Sequence, residues 1–313
     1  KKTNPFKNMF WKTIQRWIEP AKAWWWVVVA VFGIMIYLLS YFVLPGILSP
    51  GLDFYLIRPI LWLLQAFLAY LGWKFTLEEH PLPQKRLILN AALFGFIQTI
   101  LFVLLGIFVG GFGRSPYSHR LPIILGNLTY VITMLIGMEM SRAYLVIRFG
   151  QKKPLLSISI VGLFLFLLNV PTGWYLGLQS QIPRLVFQII GELMLPSMAE
   201  NFLATYLAFV GGPVASMAYM GMLKAFEWLS PALPSLRWYI SAIAGTLVPL
   251  GMPIIQEYAM SKREQTQDNE KKGNSGTLLA WAVVGVLSLL ILWFNTGLLG
   301  VHPTLIASGS MEP

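Results

Sequence analysis

Apolar residues in this chain come in long, nearly unbroken runs. They show neither the alternation of a half-buried strand nor the single stripe of a soluble amphipathic helix. A helix needs about 20 apolar residues to cross some 30 Å of hydrocarbon. Nine runs meet or approach that length, at 24–45, 54–73, 87–110, 121–141, 155–172, 185–209, 213–229, 238–258 and 277–295. The pattern predicts an all-α polytopic membrane protein with about nine transmembrane helices. The sixth and seventh runs are interrupted by Glu192, Pro196, Glu200, Asn201, Lys224 and Glu227. Residues 185–229 read equally as a re-entrant or broken pair, which protein burial tolerates and lipid does not. Seven spans then remain, with the same parity.

The polar positions divide the chain further. In residues 1–23, Phe6, Met9, Phe10, Ile14, Trp17 and Ile18 fall at helical spacing, with Asn8, Lys12, Gln15 and Arg16 on the other side. This predicts a basic amphipathic helix lying in the headgroup layer. Trp24–Trp26 fit an aromatic belt where the first span begins. Residues 24–258 form an eight-span membrane domain and 277–299 hold the ninth span. Between them, 259–276, including Ser261–Gly276, read as a flexible cytoplasmic linker.

Basic residues set the orientation. The N-terminal segment carries Lys1, Lys2, Lys7, Lys12, Arg16 and Lys22, and loop 46–53 carries none. Loop 74–86 carries three, segment 142–154 four and segment 259–276 four, against two in 111–120 and one each in 173–184 and 230–237. High and low counts alternate, except at the tight Gly211-Gly212-Pro213 turn. By the positive-inside rule the N-terminus is cytoplasmic, and an odd number of crossings places the C-terminus outside a plasma membrane.

Composition agrees. Of 313 residues, 56% are hydrophobic and 12% charged, where a soluble domain has about 25% charged. The net charge of +10 sits at the ends of apolar runs. It does not form the continuous basic surface with interleaved aromatics that nucleic-acid binding needs, so no nucleic-acid partner is expected. With no cysteine, disulfides, zinc thiolates and iron–sulfur clusters are excluded. His80 and His119 lie in loops without a second ligand at metal spacing, and Met217, Met220 and Met222 read as apolar filler. No metal or cofactor is expected. The first apolar run is too long for a cleavable signal peptide.

The most informative stretch follows the ninth run: Gly300-Val-His-Pro-Thr-Leu-Ile-Ala-Ser-Gly-Ser-Met-Glu-Pro313. It resembles the start of the catalytic domain of the type I signal peptidase family, in which a membrane anchor leads into a short strand and a Ser-Gly-Ser-Met-x-Pro motif. Ser308–Pro313 matches that motif at every position, and Met-Glu-Pro after a strand-like Pro303–Ala307 is more similar to the archaeal and endoplasmic-reticulum branch. The resemblance covers 300–313. It implies that 300–313 open an extracytoplasmic β-rich domain that is truncated here. It further implies Ser310 as the acyl-forming nucleophile and Ser308 as support for the oxyanion hole, with preprotein signal peptides as substrates. A serine hydroxyl needs a neighbouring base and preorganised donors for the oxyanion, and Gly309 would let backbone approach closely. The family's base, a lysine or histidine, lies downstream of the serine. With Lys1-Lys2 at the start and Pro313 inside a motif, the sequence reads as an excerpt, inactive alone. His302 precedes Ser310 by eight residues, about 26 Å in an extended strand, and reads as a membrane-exit residue.

A second candidate lies within the bilayer. Glu139, Arg142, Asn169, Glu192, Glu200, Asn201, Lys224 and Glu227 sit in or at the ends of spans. Intramembrane charges are costly and face a bundle interior or cavity, paired with one another. Glu192 and Glu200, eight apart, share nearly one face of an unbroken helix, and Lys224 and Glu227 at i and i+3 neutralise each other. The functional reading is an ion or substrate path, or a polar clamp. The structural reading is interhelical pairing near span ends, with Lys224 and Arg142 snorkelling. Two functions follow: a signal peptidase I–like serine protease whose multispan block anchors it and gathers preproteins, or a transporter-like module or accessory subunit of a larger membrane complex.

Overall fold

The computed structural model describes residues 22–77, 85–118, 120–151, 153–179 and 182–267. Five of its helices are long and apolar enough to cross a membrane: α1 (Trp25–Ile47), α2 (Pro50–Thr76), α3 (Lys85–Gly110), α4 (Leu121–Gly150) and α7 (Leu185–Leu229). A sixth is counted if α5 (Pro154–Asn169) and α6 (Thr172–Leu178), bent by 94°, are taken as one span. Helix α8 (Trp238–Gln267) closes the described chain. The outward faces are apolar, with Val31, Phe42, Leu63, Phe96, Leu125, Leu155 and Leu247 exposed, while Gln65, Gln98, Glu139, Arg142, Asn201 and Thr205 are buried. Polar groups inside and hydrocarbon outside is the arrangement lipid selects. The chain is a multipass membrane protein.

The nine-span expectation is corrected by the described residues, for local reasons. Pro171 has no amide hydrogen and disfavours a helical Val170 (ψ 121°), so the fifth run stops at Asn169 and turns aside as α6. The sixth and seventh runs form one 45-residue helical stretch, whose only non-helical residue is Gly212 (φ 73°, ψ −173°). Its second limb, Pro213–Leu229, is at the short end of what a lone span requires. Helix α8 runs without a break from Trp238 to Gln267. The runs at 1–21 and 277–299, and the segment 300–313, lie outside the described residues.

At Gly212 the chain reverses. Gln98 on α3 bonds both Glu200 and Tyr219. An unbroken helix would hold those two residues about 28 Å apart at 1.5 Å per residue. The backbone conformation of Gly212 is one that essentially only glycine adopts. The two limbs of α7 therefore lie side by side, packed against α3, α4, α5 and α8. One core cluster joins Val29, Ala69, Tyr144, Val161 and Ala208, and another joins Ala91, Phe94, Leu203, Leu207, Tyr219 and Met252. Gly95 lets the second limb close on α3: a β-carbon there would stand 2.7 Å from the Tyr219 carbonyl oxygen.

The bundle has two distinct ends. At one, Trp25 Nε1 donates to the Leu68 carbonyl, the Thr76 and Tyr144 hydroxyls meet at 3.0 Å, and Gly150 and Gly211 sit against Phe209 and Leu87. Lys22, Lys74, Lys85, Arg86, Arg148 and Lys153 belong to this end. At the other, Phe112–Arg114 (β1) pairs antiparallel with Ala232–Pro234 (β2), a two-stranded cap that hydrophobic periodicity did not predict.

Candidate functional site

Residues from α3, α4 and both limbs of α7 meet inside the bundle. Arg142 is fully buried. Its Nε and Nη2 donate to the two oxygens of Glu139 at 2.8 and 3.1 Å, one helical turn earlier on the same face. Its remaining donors reach the first limb of α7: Nη1 to the Asn201 carbonyl (3.0 Å) and Thr205 Oγ1 (2.8 Å), Nη2 to Asn201 Oδ1 (2.9 Å). The planar five-donor fork of arginine suits this arrangement, where a lysine point charge would not. The guanidinium charge is balanced, so the group is a structural clamp between α4 and α7.

A turn or so away stands a different arrangement. Gln98 Nε2 donates to Glu200 Oε1 at 2.7 Å, and the buried Tyr219 hydroxyl donates to Gln98 Oε1 at 2.7 Å. Lys224 donates to Glu227 at 2.7 Å, and these two side chains remain 22% and 40% exposed. Glu227 also accepts from the Tyr117 hydroxyl at 3.4 Å. Tyr117 stacks on Trp228 with ring centroids 3.8 Å apart. Burial, and then the nearby Glu227 carboxylate, push the Tyr117 phenol above its ordinary range. Between the two arrangements lies a pocket walled by Met134, Leu135, Met138 and Met220 and reached by Glu139, Asn169 and Lys224, with room for about one water.

The sequence candidates thus divide. Glu139, Arg142 and Asn201 form one bonded group, Lys224 and Glu227 pair as their i, i+3 spacing predicts, and Asn169 reaches the pocket. Glu192 does not join them. A π-helical stretch at Ile189–Met194 intervenes before Glu200, its neighbour Gly191 packs on Trp238, and Glu192 has no hydrogen bond or ion pair among the described residues. An α-helix advances 3.6 residues per turn, so a spacing of eight leaves two side chains about 80° apart, and the shared face expected for Glu192 and Glu200 is not formed. Arg142 does not snorkel; it is wholly internal. Ser308 and Ser310 lie outside the described residues.

Sequence reasoning missed Gln98, Thr205, Tyr219 and Tyr117, which complete the bonding. It also missed the pair Asp53–Arg58 (2.6 Å), whose guanidinium donates to the Ser40 carbonyl and joins α1 to α2. Gln65, which donates to Val29 O and Ser141 Oγ, escaped notice as well. The available signal was an amide in the middle of an apolar run, Gln65 and Gln98. Among the described residues no group of three or more His, Cys, Asp or Glu is placed to hold a metal. No family model, curated protein or solved structure matches the chain.

Proposed function

We propose that this chain is the membrane block and nucleophile-bearing start of a signal peptidase I–like serine protease that removes signal peptides from exported preproteins. The observation that carries this reading is the six-residue run Ser308-Gly309-Ser310-Met311-Glu312-Pro313, following an apolar run of spanning length at 277–295. Ser310 would attack the scissile carbonyl. A lysine or histidine downstream would take its proton and return it to the leaving amine. The Ser310 amide, assisted by the Ser308 hydroxyl, would hold the oxyanion.

In this reading the basic end of the bundle faces the cytoplasm of the cell that owns the plasma membrane. The run at 277–295 then brings Ser310 out on the opposite side, where signal peptides of translocated chains are cut. The multispan block is a platform that shares the bilayer with its substrates and with any further membrane subunits. Support for a platform in preference to a transport path comes from Glu139, Arg142, Asn201 and Thr205, whose polar groups are spent on one another.

The test is Ser310→Ala in the protein as its gene encodes it, expressed at wild-type level. Preprotein should accumulate uncleaved in its cells. Undiminished processing, with no second peptidase present, would refute the assignment.

A further inference from the structure

Five ionisable side chains meet between α3, α4 and the two limbs of α7: Glu139, Arg142, Glu200, Lys224 and Glu227. Glu139 and Arg142 close on each other. That leaves two carboxylates, Glu200 and Glu227, to one ammonium, Lys224. In water the surplus would be trivial, but inside a lipid-embedded bundle an unbalanced charge is expensive unless a partner or a proton cancels it.

We propose that Glu200 is a proton-binding site inside the bundle, holding the proton that balances this group while Lys224 stays with Glu227. Geometry decides which carboxylate carries the proton. Glu227 already has the Lys224 ammonium at 2.7 Å, the Tyr117 hydroxyl, and 40% exposure toward the sheet-bearing end. Glu200 has a neutral amide donor, Gln98, on one oxygen. The Tyr219 hydroxyl occupies the other end of that amide, so Gln98 presents its NH₂ to Glu200.

The charged and titratable groups around Glu200 can be taken element by element. From α3 it meets Gln98. From α4 come Glu139 and Arg142, already committed to each other and to Asn201 and Thr205. From the second limb come Tyr219, Lys224 and Glu227. Helix α5 contains no ionisable residue, and α8 as far as Met252 contributes Tyr239, whose hydroxyl accepts from Arg237. Lys224 is thus the cation that loss of the proton would draw inward. Its departure would release Glu227 and the Tyr117 contact, so the proton on Glu200 keeps that end of the hairpin closed.

The experiment is infrared difference spectroscopy on the full chain in lipid nanodiscs during pH steps, with thermal unfolding of the same samples. Wild type should show a protonated-carboxyl C=O band at neutral pH that shifts in D₂O. Glu200→Gln should lose that intensity and Glu192→Gln should keep it. Because glutamine mimics the neutral acid, Glu200→Gln should melt with wild type, while Glu139→Gln melts clearly lower. A wild-type spectrum without the band, a band unaffected by Glu200→Gln, or a Glu200→Gln protein as unstable as Glu139→Gln would overturn the proposal.

Discussion

Two polar groups lie within the same helical hairpin and handle charge in opposite ways. Around Arg142 a cation meets a carboxylate, an amide, a carbonyl and a hydroxyl, and the residue is sealed at 0% exposure. Around Lys224 one cation stands against Glu227, with Glu200 bonded to a neutral amide nearby, and the ion pair stays partly open. The first group is saturated by geometry and can only be damaged. The second depends on how many protons it holds and can respond. A buried charge in lipid is thus either closed off by neighbours or left adjustable, and the exposure of its partners decides which.

The largest effect that would break this contrast belongs to Arg142→Met. It leaves Glu139 buried without its partner and should cost about 3–5 kcal/mol, read as a fall in unfolding free energy in detergent or bicelles. A loss below about 1 kcal/mol, the range of exposed pairs, would mean that the two groups do not differ. Next comes Gly212→Ala. The turn brings both limbs to Gln98, and a side chain in this backbone conformation costs about 1–3 kcal/mol, so both groups should loosen together by the same measurement. Smaller still, Glu227→Gln should cost about 0–1 kcal/mol, as for partly solvated pairs. That difference should shrink further in high salt.

Tyr117 sharpens the open side of the comparison. Its phenol is favoured neutral in the fold, so the contribution it makes is present below the ordinary phenol value. It is lost as pH rises through the raised one. An ultraviolet titration should show one late-ionising tyrosine fewer in Tyr117→Phe than in wild type, and one shifted back toward normal in Glu227→Gln.

Much of this was legible in residue order. Long apolar runs announced helices in lipid, the alternation of Lys and Arg separated the two ends, and the Gly211-Gly212-Pro213 turn is where the chain reverses. The pair Lys224–Glu227 is helix-local, so its i, i+3 spacing announced it; Glu139–Arg142 has the same spacing, but the sequence reading had Arg142 snorkelling. The break at Val170–Pro171 misled a reading by run length, because it ends a helix without changing hydrophobicity. Gln98 could not be joined to Glu200 and Tyr219 from their positions in the chain.

The sequence by itself determined the solvent, the helical class and the short-range pair Lys224–Glu227, since these follow from side-chain hydrophobicity and the 3.6-residue period. The tertiary structure alone decided that Arg142 is sealed, that Glu192 stands apart from Glu200, and that Glu200 is met by Gln98 while Lys224 pairs with Glu227. Those facts depend on which faces of distant helices meet, and nothing local in the chain encodes that meeting.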